Sequence, residues 1–122
     1  FHASAVVGSD PIEMLTGVLP ATRKILDRTG MGIDDFDTYE INEAFACVPL
    51  AWQHEFQSDP DLLNPRGGAI ALGHPLGASG ARLVGTLAKR LRTARLRYGV
   101  AAICIGVGQG LAVVLENLDA QP

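Results

Sequence analysis

The sequence predicts an α/β domain in which helices pack on a layered, mixed sheet. Three observations lead there. Segments with helical spacing alternate with short apolar segments along most of the chain. Two apolar runs, Val100 to Ile105 and Leu111 to Glu116, close the chain across a glycine-rich turn, as a hairpin would. The 122 residues, 48% apolar and 19% charged with 14 glycines, have the makeup of one globular domain with several tight turns.

In chain order, Phe1 to Val7 reads as a strand already in progress, so the chain is expected to begin part-way through something larger. Gly8-Ser9-Asp10-Pro11 is turn chemistry. Pro20 then opens a short helix, Ala21 to Thr29, that Gly30 closes, the usual placement of these two residues. Ile25 and Leu26 are its apolar contribution. Gly32 to Asp37 is a polar connection and Thr38 to Ile41 a brief strand. From Phe45 the apolar positions Phe45, Val48, Trp52 and Phe56 recur at helical spacing, with Asn42 as the expected N-cap and Glu43 in the first turn. Pro49 inside that pattern requires either a kink or a helix that starts later.

Gln57 to Pro65 is a loop broken by Asp59-Pro60-Asp61 and Asn64-Pro65. A helix follows from Ser79 to about Arg92, its apolar residues Leu83, Val84, Leu87, Ala88 and Leu91. Gly106 to Gly110 is the hairpin turn, and the tail from Asn117 to Pro122 is expected to fray.

Composition excludes several function classes. A net charge of −3 offers no basic footprint, so nucleic acid is not an expected partner. The arginines from Arg82 to Arg97 read as the solvated face and C-terminal end of one helix. No apolar run approaches the ~18 residues of a membrane span and no secretory signal is present, so no membrane is expected and the localisation is read as cytoplasmic. Cys47 and Cys104 match no metal spacing, no metal is expected, and a disulfide between them is open but not the favoured reading. His2 and His54 lack a partner motif, and Trp52 with Phe56 reads as core. The Gly106-Val107-Gly108-Gln109-Gly110 turn leads into an apolar strand rather than a helix, which excludes a dinucleotide fingerprint.

The stretch that organises the rest is Gly67 to Gly80, where His74 sits among Gly67, Gly68, Gly73, Gly77 and Gly80 in front of a helix. Glycine at this density lets backbone come close to a ligand. The helix N-terminus disfavours a second positive charge, and a neutral imidazole can both accept and donate. Glycine-rich turns before helices also serve as plain connections, and an isolated histidine is more often structural than catalytic.

Three strings in order, Asn42-Glu43-Ala44-Phe45, Gly73-His74-Pro75 and Cys104-Ile105-Gly106, lie about 30 residues apart, with Pro20-Ala21-Thr22-Arg23-Lys24 upstream. Together they resemble the C-terminal domain of the thiolases, from about Gly8 to Glu116. The resemblance implies a half of a protein built from two similar halves in five layers, with the N-terminal half missing here, and a homo-oligomer in the full enzyme. The implied activity is acyl transfer between a 3-ketoacyl-CoA and coenzyme A, which is substrate rather than bound cofactor. No cofactor is implied.

By the same resemblance, His74 would activate a nucleophilic cysteine of the N-terminal half and hold the thioester oxygen. Asn42 would hold a water completing that oxyanion site. Cys104 would be the acid and base at the acetyl-CoA carbon, where its alternative is a small buried hydrophobe. The Gly106 amide would serve a second oxyanion hole. Glu43 and Gly73 would support the site. Three positions depart from the pattern: Val107 stands where glycine is common, Arg66 where asparagine is common, and Pro49 is unusual in its helix. A non-catalytic subunit or scaffold of thiolase type is the alternative. The ketoacyl synthase branch is a further one, although its usual histidine pair is not matched. Alone, the chain is expected to lack turnover and to expose an apolar face.

Overall fold

The computed structural model describes residues 1–120. Four strands form one mixed sheet in the order β1-β4-β3-β2. They are β1 (Ala3–Gly8), β2 (Thr38–Ile41), β3 (Tyr98–Ile105) and β4 (Gln109–Glu116). The hairpin β3–β4 is antiparallel, as its short turn demands, and β1 adds antiparallel to β4. β2 joins the other edge parallel to β3, so their carboxyl ends point the same way. The helices are α1 (Val18–Thr29), α2 (Cys47–Phe56), the single turn α3 (Ala69–Leu72) and α4 (Ser79–Ala94).

Alternation along the strands separates two cores. Val100, Ala102 and Cys104 of β3 and Ala112 and Val114 of β4 face α1 and α2, packing with Val18, Ile25, Tyr39, Ile41 and Trp52. Ala101 of β3 and Val113 and Leu115 of β4 face α4, against Leu83, Leu87 and Leu91. Those three leucines recur every fourth residue and are all buried, each contributing about 1.5–3 kcal/mol of transfer free energy. On the opposite side Trp52 is fully buried, with the rings of Tyr39 and Phe56 each 5.1 Å away. Its indole donates to Thr22 Oγ1 at 2.9 Å, and that hydroxyl donates to the Val18 carbonyl at 2.8 Å. A polar group is thereby carried into the core with its bonding complete.

Several boundaries differ from the sequence reading. α1 begins at Val18, so Pro20 lies in its first turn rather than at its start. α2 begins at Cys47 with Ala46 as N-cap, and Asn42 is not a cap. Pro49 therefore occupies the third helical position, where its missing N–H is one that no helix could have used, and no kink is required. β3 and β4 each start two residues earlier than expected, which tightens the hairpin loop to Gly106-Val107-Gly108. The tail is tied down as far as Ala120: the Asn117 carboxamide donates to Leu91 and Leu96 carbonyls, and Arg97 donates to the Ala120 carbonyl at 3.0 Å. Gln121 and Pro122 of that expectation lie outside the described residues.

Val107 has φ of 61°, in the left-handed region that a β-branched residue rarely enters, and its side chain is 75% exposed with little packing to offset the strain. That conformation costs an L-residue roughly 1–2 kcal/mol, against about 0.5–1 kcal/mol of extra chain entropy for glycine. Val107→Gly is expected to stabilise the fold by about 0.5 kcal/mol. Thermal unfolding of the two chains side by side checks it, a lower midpoint for the glycine variant being the contrary result.

Candidate active site

The carboxyl ends of the parallel pair β2 and β3 open into a cleft of about 420 Å³ lined by Ala44, Phe45, His74, Cys104, Ile105 and Gly106 among others. Open α/β sheets place ligands at such strand ends, where loops are free to carry chemistry. Asn42 follows β2 directly, and its backbone N–H donates to the Ala102 carbonyl at 2.9 Å, carrying the ladder one residue past the strand. Its side chain is fully buried, with Nδ2 3.4 Å from His74 Nε2. Cys104, one residue before the end of β3, is buried, and Gly106 is exposed at the start of the hairpin turn. His74, Asn42, Cys104 and Gly106, from three separate strings, are thus brought together.

The loop that delivers His74 is held by specific contacts. Gly73, at φ 90° and ψ 163°, ends α3 in a conformation reserved for glycine, and it turns the chain so that His74 reaches Asn42. The other ring nitrogen, Nδ1, lies 2.6 Å from Ser79 Oγ at the first position of α4. Glu43 is not in a helix. One carboxylate oxygen accepts from Asn64 Nδ2 at 2.9 Å and the other from the Ile70 amide at 3.0 Å, which ties the segment after β2 to the segment carrying His74. Gly68 makes this approach possible, since a Cβ there would sit 2.3 Å from the Glu43 carboxyl carbon. Asn64 bonds both polar groups of the Ile41 backbone, accepting its N–H and donating to its carbonyl, each at 2.8 Å.

Burial pushes the Cys104 thiol above its ordinary pKa, so it is held as a protonated donor at neutral pH. Cys47 is exposed, and both cysteines are free. His2 pairs with Glu116 at 3.2 Å, and His54 is exposed on α2, so neither reaches the cleft. Among the described residues no cluster of His, Cys, Asp and Glu has the makings of a metal site.

An α/β domain that gathers the Asn-Glu-Ala-Phe, Gly-His-Pro and Cys-Ile-Gly strings near the ends of two parallel strands agrees with the thiolase resemblance of those strings. The chain belongs to that family: the family described as "Thiolase, C-terminal domain" matches residues 1–117. A steroid 3-ketoacyl-CoA thiolase, FadA6, of Mycobacterium tuberculosis is 51% identical over 117 residues, covering 96% of this chain and 29% of that protein. An acetyl-CoA acetyltransferase of Shinella zoogloeoides is 48% identical over 93% of this chain and 29% of its own length. The crystal structure of human mitochondrial 3-ketoacyl-CoA thiolase superposes with a TM-score of 0.91 at 43% identity, over 94% of this chain and 29% of that one. The chain therefore spans somewhat under a third of the length of these relatives.

Beneath the cleft runs a buried polar seam that takes in two arginines, Arg82 and Arg90, read from the sequence as part of a solvated helix face. Thr38, Glu40 and Asn42 alternate with Tyr39 and Ile41, and all five are buried. The Arg90 guanidinium donates to Thr38 Oγ1 at 2.9 Å, so this arginine of α4 turns inward rather than outward. Arg82 also departs from the solvated face, its guanidinium nitrogens being buried and, among the described residues, without a hydrogen-bond partner. Both Glu40 oxygens share that condition. Burial is the main reason that the Glu40 carboxyl is pushed up to about 7, opposed by the nearby charges of Arg82, Arg90 and Arg66 and reinforced by Glu43.

The folded chain holds the Glu40 proton up to about pH 7, whereas an unfolded carboxyl releases it near 4.5. Its stabilising contribution is therefore complete below pH 4.5, declines as pH rises through that window, and is gone above about 7. The amount at stake is on the order of 3 kcal/mol at most. Glu40→Gln, which keeps the shape without the charge, is expected to flatten this part of the stability profile in denaturant unfolding between about pH 4.5 and 8. An unchanged slope would contradict the buried protonated state.

Proposed function

We propose that this domain supplies the acid–base and oxyanion residues of a thiolase, which moves an acyl group between a 3-ketoacyl-CoA and coenzyme A. The nucleophilic cysteine is contributed by an N-terminal half. The observation that carries the reading is that His74, Cys104 and Gly106 line one cleft from segments far apart in sequence, with buried Asn42 3.4 Å behind His74. The relatives' names, thiolase and acetyl-CoA acetyltransferase, support it.

In the thiolytic direction His74 Nε2 takes the proton of the nucleophile's thiol, and the sulfur attacks the 3-keto carbon. The C2–C3 bond breaks and its electron pair passes to the thioester enolate, whose oxygen is held by the protonated His74 Nε2 and through Asn42. Cys104 gives its proton to C2, releasing acetyl-CoA. The Cys104 thiolate then takes the proton of an incoming coenzyme A thiol, whose sulfur attacks the acyl-enzyme. The oxyanion of that step is held at the Gly106 amide; as it collapses the acyl carbon–sulfur bond to the nucleophile breaks, acyl-CoA leaves, and His74 Nε2 returns its proton to the nucleophile's sulfur. A thiol held protonated by burial suits the donor half of the Cys104 cycle.

The exposed apolar side chains Phe45, Leu76 and Ile105 line the cleft, and Ile70, Leu72 and Val107 are exposed in the segments that lead to it, which supports cover by another part of the full protein. Homo-oligomerisation of the complete enzyme is part of the same proposal.

Two substitutions in the complete protein test the reading. His74→Ala is expected to lower kcat/KM for thiolysis by about a hundredfold or more, the usual scale for a lost general base. Near-normal turnover would overturn the assignment and favour a scaffold role. Cys104→Ala is expected to abolish solvent deuterium exchange into the acetyl methyl of acetyl-CoA while leaving acylation of the nucleophile by acyl-CoA measurable. Retained exchange would remove Cys104 from the mechanism.

A further inference from the structure

Ser79 is fully buried at the first position of α4, where no side chain caps the helix. Its hydroxyl lies 2.6 Å from His74 Nδ1 and 3.1 Å from the Pro75 carbonyl oxygen. We infer that Ser79 is a positioning residue that fixes the tautomer of His74, accepting Nδ1–H and passing its own hydroxyl proton to the Pro75 carbonyl. This rests on the reading of His74 as the base that activates the nucleophile.

The argument is one of donors and acceptors. A carbonyl oxygen only accepts, so a hydroxyl proton directed at Pro75 leaves the Oγ lone pairs for Nδ1–H. The same Pro75 oxygen accepts the amides of Ala78 and Ser79 at 2.9 and 3.0 Å, which fixes the turn and with it the place of the hydroxyl. With the proton on Nδ1, the lone pair of the neutral ring lies on Nε2, where Asn42 Nδ2 donates at 3.4 Å. In the resting neutral ring, with no substrate oxygen to accept from both, the reverse sense, Oγ–H into Nδ1 with the proton on Nε2, would set Nε2–H against the Asn42 N–H, two donors face to face. Free histidine prefers its proton on Nε2, so the tautomer a base requires here must be imposed by a neighbour. Which nitrogen is protonated follows from the bond the other makes.

The consequence for the proposed step is specific. The S–H bond of the nucleophile breaks, its electron pair stays on sulfur, and the proton forms a bond to Nε2. Nδ1–H remains on Ser79 throughout. Nε2 is then the only exchanging position, first accepting the thiol proton and afterwards donating to the enolate oxygen.

The test uses the complete protein. Nitrogen-15 NMR of the histidine side chains, with His74 identified by its loss in His74→Ala, is expected to show Nδ1 protonated and Nε2 unprotonated in the neutral ring of the unsubstituted enzyme. A proton on Nε2 overturns the inference, and this measurement needs no Ser79 variant to fold. Ser79→Ala is expected to move the proton toward Nε2 and to lower kcat about tenfold to a hundredfold with KM little changed, the usual scale for a residue that orients a catalytic ligand from behind. The rate of iodoacetamide alkylation of the nucleophile is expected to fall in parallel, and Ser79→Thr, which keeps the hydroxyl, to restore both. If Ser79→Ala turns over and alkylates like the unsubstituted enzyme while His74→Ala is inactive, the inference falls and the assignment of His74 stands. If His74→Ala is itself active, the underlying reading fails.

Discussion

The parallel pairing of β2 with β3 is the constraint on which the site depends. β2 is a strand of only four residues at the edge of the sheet, yet its register fixes where Asn42 stands relative to Cys104. The two residues belong to opposite faces. Asn42 follows the alternation of Thr38 and Glu40 toward α4, whereas Cys104 lies with the core under α1 and α2. His74 links them beyond the last rungs of the ladder, within reach of Asn42 and lining the same cleft as Cys104. A register slip of one residue would exchange the two faces of β2 and bury Ile41 in the polar seam.

What holds the loops above that ladder is mainly hydrogen bonding. The segment from Asn64 to His74 is anchored through Asn64 to Ile41, through Glu43 to Asn64 and Ile70, and through Ser79 to His74. Each is directional and short, and the ring of His74 is held at Nδ1 by Ser79 and faced at Nε2 by Asn42 at 3.4 Å, while the apolar side chains beside it remain exposed. A site of this kind keeps its geometry without burying its mouth. Cover can then be provided by another surface without repacking of the groups around His74.

Much of this was legible from residue order. The alternation of helical and strand patterns gave the α/β class, and the terminal apolar runs gave the hairpin. The Asn-Glu-Ala-Phe, Gly-His-Pro and Cys-Ile-Gly strings named the residues that the fold brings to one cleft. The misreadings have physical causes. Asn42 followed by Glu43 looks like a helix start, because capping preference is local and cannot register that Asn42 continues a β-ladder. Pro49 carried the information that the helix begins later, and that option was open. Ser79 was seen only as the start of a helix, since its partner Nδ1 depends on the turn at Gly73. The strict alternation Thr38-Tyr39-Glu40-Ile41-Asn42 was present as a signal of a strand with one polar face, but periodicity does not say whether that face meets water or a helix. Arg82 and Arg90 were assigned to solvent for the same reason.

The side chains along the two outer strands have one more consequence. On β2, the Asn64 carboxamide occupies the N–H and carbonyl of Ile41, and the Asn64 amide takes the Tyr39 carbonyl at 2.9 Å. On β1, Lys24 and Arg28 of α1 donate to the carbonyls of Val6 and Ser4. Both margins of the sheet thus carry groups that mimic or block a neighbouring strand, a common defence against uncontrolled polymerisation. A partner chain cannot lengthen this sheet by adding to either margin without displacing them.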